Sequence, residues 1–236
     1  SSAASDVYKR QDLIHIHAVG PGLMVPLAKA LGLRVVVTNH GPDYDRGKWG
    51  RAAKKILRLG EYLGGRFADE VIVISSVIET IIRRRCGRAS HLIYNGVPLP
   101  QKSNRTDFLT GIGAVPGRYL FTAARFVPEK GLHDLLEAFR SVPGDWQLVI
   151  AGDADHETAY SRKIKETVAE DPRVILTGYI TGEPLNQAFS HARLFILPSY
   201  HEGLPIALLE AMSYDCLLYT SPSPRDRTRG RMPSSA

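Results

Sequence analysis

The stretch Leu194-Phe195-Ile196-Leu197-Pro198-Ser199-Tyr200-His201-Glu202-Gly203-Leu204-Pro205-Ile206-Ala207-Leu208-Leu209-Glu210-Ala211-Met212 holds one complete strand–turn–helix unit. The apolar run 194–197 has the length and character of a buried strand. Gly203 permits a tight backbone approach and Pro205 suits the first turn of a helix over 205–212. Working back toward the N-terminus, the unit recurs. Strands are expected at 119–123, 147–150 and 174–176, with helices at 131–140, 157–168 and 184–189.

The first half repeats the alternation: strands at 13–18, 34–38, 70–74 and 91–94, and helices at 23–31, 49–67 and from Ser75 or Ser76 to about 85. The helix over 49–67 is basic at its start and carries Ile56, Leu57, Leu59, Leu63 and Phe67 at helical spacing. Between the halves, residues 98–116 are rich in Pro, Gly, Ser and Asn and lack a period, which marks the interdomain link. Apolar strands interleaved with amphipathic helices give parallel sheets with helices on both faces, so the fold class is α/β with two Rossmann-like domains. Each half shows about four strands where a doubly wound domain has roughly five to seven, so both read as truncated.

The chain has 236 residues, 30 Lys+Arg, 24 Asp+Glu, a formal charge of +6 and 44% apolar content. This is the composition of a globular domain, and it excludes wholesale disorder and fibrous architectures. No apolar run approaches the roughly 20 residues of a membrane span. Two cysteines, Cys86 and Cys216, make neither a disulfide framework nor a CxxC metal site, which points to the cytoplasm.

The two ends carry a further signal. Asp6-Val7-Tyr8-Lys9-Arg10-Gln11 can be written GAT GTG TAT AAG AGA CAG. Its reverse complement, shifted by one base, encodes Cys-Leu-Leu-Tyr-Thr and the start of Ser, which is the sequence 216–221. Residues 1–11 and 216–236 are therefore expected to be non-native, adapter-derived translation and are set apart from fold reasoning. They hold +1 and +3 of the charge. Residues 12–215 retain +2, and a nucleic-acid reading loses its main support. The expected organisation is a partial N-terminal domain over 12–98, a link over 99–116 and a partial C-terminal domain over 117–215.

In open parallel sheets ligands bind beyond the carboxyl ends of the strands, so the polar residues there are the candidates. Glu202 follows a strand and Glu210 lies eight positions on, inside the next helix. A helix N-terminus takes an anion, and carboxylates beside it accept from sugar or ribose hydroxyls. A plain helix-dipole partner and a solvated side chain are the alternative account of these two carboxylates. Arg125 and Lys130, in Ala124-Arg125-Phe126-Val127-Pro128-Glu129-Lys130-Gly131, bracket the start of a helix. Two cations there oppose the helix dipole unless a diphosphate occupies the position; an Arg125–Glu129 pair beside a solvated Lys130 is the alternative.

His40, in Thr38-Asn39-His40-Gly41-Pro42-Asp43, ends a strand beside a flexible glycine and can donate to a phosphate or sugar hydroxyl. Asp43 suits an Asx turn or acid–base work. His15 and His17 share one strand face and read as a packed or hydrogen-bonded pair, since no third metal ligand has suitable spacing. Gly152-Asp153 and Gly178-Tyr179 follow strands and can approach a nucleotide. Lys48, Arg51, Lys54, Lys55 and Arg58 make one helix basic, as a solvated face or a contact for an anionic membrane.

Taken together, these motifs resemble the retaining glycosyltransferases of the GT-B architecture, specifically family 4 (glycosyl transferases group 1). The resemblance covers essentially all of residues 12–215. It implies two facing Rossmann-like domains, the second holding a nucleoside-diphosphate-sugar donor, with no permanently bound cofactor and no metal requirement. The Glu-x7-Glu motif resembles Glu202 and Glu210, which implies the donor-sugar hydroxyls for Glu202 and the ribose for Glu210. Arg125 and Lys130 match the diphosphate cations, His40 the strand-end histidine, and Asn95-Gly96-Val97 the turn before the domain link. Gly152 and Tyr179 are placed near the nucleotide, and Gly203 and Leu204 beside the donor.

The implied reaction is sugar transfer to a saccharide or lipid-linked acceptor with retention of configuration. The implied partners include the inner membrane face, peripherally, and no nucleic acid. The family's opening strand with its Gly-rich loop, and its segment after the second Glu, have no counterpart here. The fragment itself is therefore expected to be inactive. Competing readings are a GT-B nucleotide-sugar epimerase, a glycogen-synthase-like enzyme, and a non-catalytic two-lobed nucleotide- or sugar-binding module.

Overall fold

The structure, a computed structural model, describes residues 12–42, 44, 50–200 and 202–220. Asp43, Lys48, Trp49 and His201, and the outer parts of both expected adapter segments, lie outside the described residues. The chain divides into two compact units. The first comprises residues up to Asn95 together with Glu202–Leu204, and the second comprises Gly96–His201 and the residues from Pro205 onward.

In the first unit the described strands are β1 (Leu13–His17), β2 (Arg34–Asn39), β3 (Glu70–Val73) and β4 (His91–Leu92). The helices are α1 (Val25–Ala30), α2 (Arg51–Phe67) and α3 (Ser76–Cys86), with a 3-10 turn at Pro21–Met24. The strands run parallel in the order β1-β2-β3-β4. Successive right-handed crossovers in that order place the connecting helices on one face of the sheet. There Ile16, Val35, Val37, Val71 and Val73 are buried against Val25 and Ala28 of α1 and Ile78 and Ile82 of α3. Leu13, His15 and His17, which alternate with that set along β1, are exposed. Ser75 caps α3, its hydroxyl accepting from the Ile78 amide at 3.4 Å.

Helix α2 departs from the expectation raised by its pattern. Ile56, Leu59 and Phe67 are exposed, and the buried residues are Gly60, Glu61, Gly64 and Gly65. Glycine wins this face because the neighbouring backbone comes too close for any side chain. A Cβ on Gly60 would lie 2.3 Å from the Val19 carbonyl oxygen, and one on Gly65 would lie 2.5 Å from Cys86 Sγ.

The second unit contains α4 (Asp107–Gly111), β5 (Tyr119–Ala123), α5 (Leu132–Arg140), β6 (Gln147–Ala151) and α6 (Ala159–Ala169). It continues with β7 (Val174–Gly178), α7 (Gly182–Ser190), β8 (Leu194–Leu197), α8 (Ile206–Ser213) and β9 (Leu217–Thr220). A 3-10 turn at Pro128–Lys130 precedes α5. All five strands are parallel, in the order β7-β6-β5-β8-β9, so the winding reverses between β5 and β8. Apolar side chains are buried on both sides of this sheet. Tyr119, Phe121, Phe189 and Phe195 build one layer, in which the Phe121 and Phe189 rings meet edge-on at 5.0 Å. Leu132, Leu136, Phe139, Leu148, Ile150 and Ile164 build the other.

Two expectations are corrected here. The segment 98–116 is not structureless, for α4 lies within it. Leu109 is fully buried, and the Phe108 amide donates to the buried Gln187 side chain at 3.0 Å. Upstream, the Ser103 amide donates to Ser190 Oγ at 2.9 Å, so much of the segment belongs to the second unit. A helix as short as α4 shows little period, which is why composition alone hides it. Residues 217–220 are set apart from fold reasoning on the codon relation, yet they form β9 along β8, from Leu194 opposite Leu217 to Leu197 opposite Thr220. Leu-Leu-Tyr-Thr is short, apolar and β-prone, and it pairs with the side of β8 that β5 leaves open.

Candidate functional site

In the first unit the candidate residues follow β2. Asn39, the last residue of β2, is buried and uses both ends of its amide. Its Oδ1 accepts from the Gly41 amide at 2.8 Å, and its Nδ2 donates to Glu61 Oε1 at 3.3 Å. Glu61, on the glycine face of α2, is 3% exposed. Its carboxylate also accepts from the Tyr44 hydroxyl at 3.1 and 3.2 Å and from Arg85 at 2.7 Å. The His40 loop thus starts from an anchored buried polar cluster.

His40 itself is exposed, and His17 Nδ1 lies 3.1 Å from His40 Nε2 with the two rings stacked at 5.4 Å. His15 packs beside His17, with ring centroids 4.2 Å apart, and its Nε2 bonds Thr38 Oγ1 at 2.8 Å. Burial first, and His17 second, hold the His15 pKa below its ordinary value, which keeps His15 neutral at pH 7. The histidine pair therefore packs and hydrogen-bonds, and among the described residues no group of three His, Cys, Asp or Glu could hold a metal ion.

Glu202, Gly203 and Leu204 group with this unit and not with the residues that flank them in sequence. Leu204 packs against the core beneath β2 and β3, and its carbonyl accepts from Asn95 Nδ2 at 2.9 Å. A Cβ on Gly203 would lie 2.6 Å from the His40 carbonyl oxygen. His40, Gly203 and Asn95, all singled out in the sequence, are thus brought into one neighbourhood. Glu202 is exposed there.

In the second unit the residues after β5 are laced to the ends of both its neighbours, β6 and β8. The Ala124 amide donates to the Ala151 carbonyl at 3.0 Å, and the Phe126 amide to that of Asp153 at 3.0 Å. Gly152, at φ 119°, passes so close that a Cβ would lie 2.1 Å from the Ala124 carbonyl oxygen. Arg125 is exposed and pairs with Asp155 at 2.9 Å, not with Glu129. Lys130 ends the 3-10 turn. Gly131 follows at φ 63°, where a Cβ would lie 2.3 Å from the Pro198 carbonyl oxygen. The Tyr200 amide donates to the Glu129 carbonyl at 3.0 Å and ties the residues after β8 to the same turn.

Glycine is required at positions 131 and 152 twice over, by positive φ and by lack of space. Tyr179, directly after β7, is 83% exposed. Glu210 in α8 is half-buried, and that burial raises its carboxyl pKa. Arg125, Lys130, Gly152 and Tyr179 all follow the carboxyl ends of strands in this unit, where open sheets bind ligands.

Residues 4–101 match Glycosyltransferase Family 4, and residues 114–224 match Glycosyl transferases group 1. The chain has the GT-B glycosyltransferase fold. It is 31% identical over 225 residues to an uncharacterized glycosyltransferase, YqgM, of Bacillus subtilis strain 168, covering 91% of this chain and 60% of that protein. It is 32% identical over 162 residues to the lipopolysaccharide 1,6-galactosyltransferase of Salmonella typhimurium, covering 63% of this chain and 41% of that one. Among solved structures, Anabaena HepE in complex with UDP and glucose superimposes with a TM-score of 0.79 at 18% identity, over 98% of this chain and 65% of that one. The GT-B chain described here thus spans about 60% of the length of YqgM and less of the galactosyltransferase.

Sequence reasoning passed over Glu61. Its signal was a lone acidic residue in a basic helix, flanked by Gly60 and followed by Gly64 and Gly65.

Proposed function

We propose that this chain handles the donor substrate of a sugar-transfer enzyme. The enzyme transfers a sugar from a uridine or guanosine diphosphate-sugar to a saccharide or lipid-linked acceptor, with retention of configuration. The observation that carries the reading is the crossover point of the second unit, where Arg125 and the Lys130-Gly131 turn follow β5 while Pro198 and Tyr200 follow β8. Arg125 and Lys130 stabilise the charge that grows on the leaving diphosphate. The Gly203 and Leu204 amides add to them. His40 and Glu202 hold the donor-sugar hydroxyls, Glu210 the ribose, and Gly152 and Tyr179 the nucleotide. The leaving phosphate oxygen takes the acceptor hydroxyl proton as the new glycosidic bond forms on the face the nucleotide leaves. No resident cofactor is required.

The test is transfer by the full-length enzyme from labelled UDP- and GDP-sugars, with the product anomer read by NMR. An α-product from an α-donor supports the reading. An inverted product, or an epimerised donor without transfer, overturns it.

Residues 1–11 and 216–236 are proposed to be adapter-encoded, on the reverse-complement relation of their codons. The family matches begin at residue 4 and end at residue 224, inside both segments, and the genomic sequence decides the matter. The isolated 236-residue chain is proposed to be inactive and prone to aggregate, since Leu13, Leu92, Ile93 and Tyr94 are exposed at the edges of the first sheet. Soluble expression with measurable transfer would refute this.

The enzyme is proposed to work in the cytoplasm at the inner membrane face. Among the described residues no helix is long and apolar enough to cross a membrane. Helix α2 instead exposes Ile56, Leu59 and Phe67 alongside Arg51, Lys55, Arg58 and Arg66, the composition of an interfacial amphipathic helix. Replacing Ile56, Leu59 and Phe67 together with serine should weaken co-flotation with phosphatidylglycerol vesicles about tenfold or more. Unchanged flotation would rule this helix out as the contact.

A further inference from the structure

Tyr200 takes no part in the chemistry proposed above, yet its backbone and its side chain both grip the segment that carries Lys130. Its amide donates to the Glu129 carbonyl at 3.0 Å, on the N-terminal side of Gly131. Its hydroxyl donates to the Asp134 carboxylate in the first turn of α5, on the C-terminal side. Gly131 sits between the two ties, pressed against the Pro198 carbonyl. The stretch after β8 therefore holds residues 129–134 from both ends, and Lys130 lies inside that clasp.

The direction of the bonds follows from counting protons. A phenol has one proton and a carboxylate has none to give, so the proton between Tyr200 and Asp134 comes from Tyr200. The Tyr200 oxygen is left as the acceptor for His133 Nε2, 3.1 Å away. On the far side of that ring, His133 Nδ1 lies 3.0 Å from the Tyr160 hydroxyl on α6, with the two rings edge-on at 5.6 Å. The hydrogen bond to Asp134, ahead of burial, pushes the Tyr200 phenol up to about 12, so it keeps the proton the clasp needs near neutral pH. A hydrogen bond to an ionised acceptor is roughly twice as strong as a neutral one.

We propose that Tyr200 is a positioning residue: its hydroxyl, bonded to Asp134 and His133, closes the clasp that fixes the backbone of Lys130 beside the leaving diphosphate. The inference rests on the diphosphate-side reading of Lys130 given above. Without the hydroxyl the segment is tied at Glu129 alone, and a displacement of about 1 Å at a charge-stabilising group can cost as much as a hundredfold in rate.

The experiment uses the full-length enzyme with a labelled UDP- or GDP-sugar, whichever it turns over. Tyr200→Phe keeps the ring and the amide bond to Glu129, and should lower kcat by about tenfold while the donor KM moves less than about threefold. On a Lys130→Met background the same change should alter kcat less than about twofold, because the group it serves is already gone. A merely structural role would cost the same factor in both backgrounds. Asp134→Ala removes the acceptor from the other side and should reproduce the Tyr200→Phe rate. Asp134→Asn keeps an acceptor oxygen and should recover most of kcat.

A Tyr200→Phe enzyme with full kcat overturns the proposal. So does an equal loss in both backgrounds, a loss confined to the donor KM, or an Asn variant at 134 no better than Ala. A fully active Lys130→Met enzyme would instead overturn the diphosphate-side role of Lys130. That failure is read from the single lysine variant, apart from any result at Tyr200.

Discussion

Replacing Lys130 with methionine in the full-length enzyme should lower kcat/KM for sugar transfer by about two to three orders of magnitude, the usual cost of deleting one charge-stabilising donor from a preorganised site. The size of the effect follows from how the lysine is held. It closes the 3-10 turn Pro128–Lys130, and the next residue, Gly131, is pressed against the Pro198 carbonyl with no room for a methyl group. The Tyr200 amide fixes the same turn through the Glu129 carbonyl. On the proposed function, an ammonium on so rigid a backbone costs little reorganisation when charge appears on the leaving diphosphate, so its removal should act on the transition state more than on donor binding.

Methionine keeps the length and apolar stem of the side chain, and urea denaturation should detect a change no larger than about 1 kcal/mol. Arginine at this position should recover only part of the rate, because a planar fork does not reproduce a point charge. Full turnover by the methionine variant would remove Lys130 from the mechanism and favour a non-catalytic role for this turn.

Glu61→Ala should destabilise the first unit by about 3 kcal/mol. The carboxylate is almost fully buried, and three donors converge on it from β2, Tyr44 and Arg85. Arg85 is 44% exposed and can turn to water once its partner is lost. The Asn39 amide is buried with no comparable exit. Most of the cost therefore falls on Asn39, whose buried amide loses the Glu61 acceptor. Glu61→Gln, which keeps one acceptor oxygen, should lose less than half as much. Urea denaturation reads both values, and an alanine variant within 1 kcal/mol of the parent would show that the cluster is not the anchor it is taken to be. Since Asn39 also holds Gly41, the alanine variant should lose transfer activity at temperatures where it is still folded.

Most of the second unit was readable from its sequence, because its central strands and longer helices obey simple periods, whereas α4 and β9 do not. Short apolar runs such as Leu148-Val149-Ile150 became buried strands, and the helices between them bury their apolar stripes, as Leu132, Leu135, Leu136 and Phe139 do. The Arg125, Lys130 and Tyr179 positions were legible for the same reason, since strand ends can be counted. The first unit was harder to read. Helix α2 turns its glycines inward and Ile56, Leu59 and Phe67 outward, so the periodicity that locates the helix mispoints it. Close backbone contacts, such as Gly60 on Val19, decide that orientation, and they depend on residues far apart in sequence. Glu61 was invisible for a related reason. A buried carboxylate is recognised by its partners, and Asn39, Tyr44 and Arg85 come from three separate segments.

The return of Glu202–Leu204 to the first unit bears on how such enzymes can be recombined. Splicing at the link is the obvious route to chimeras that pair the first unit of one protein with the second unit of another. Here that cut would bring in three residues that belong, by packing, to the half left behind: Leu204 on a core it did not evolve with, and Gly203 against a foreign loop backbone. Two crossovers, one at the link and one flanking 202–204, would let each parent keep its own plug, and libraries built that way should yield more folded members than single-cut ones.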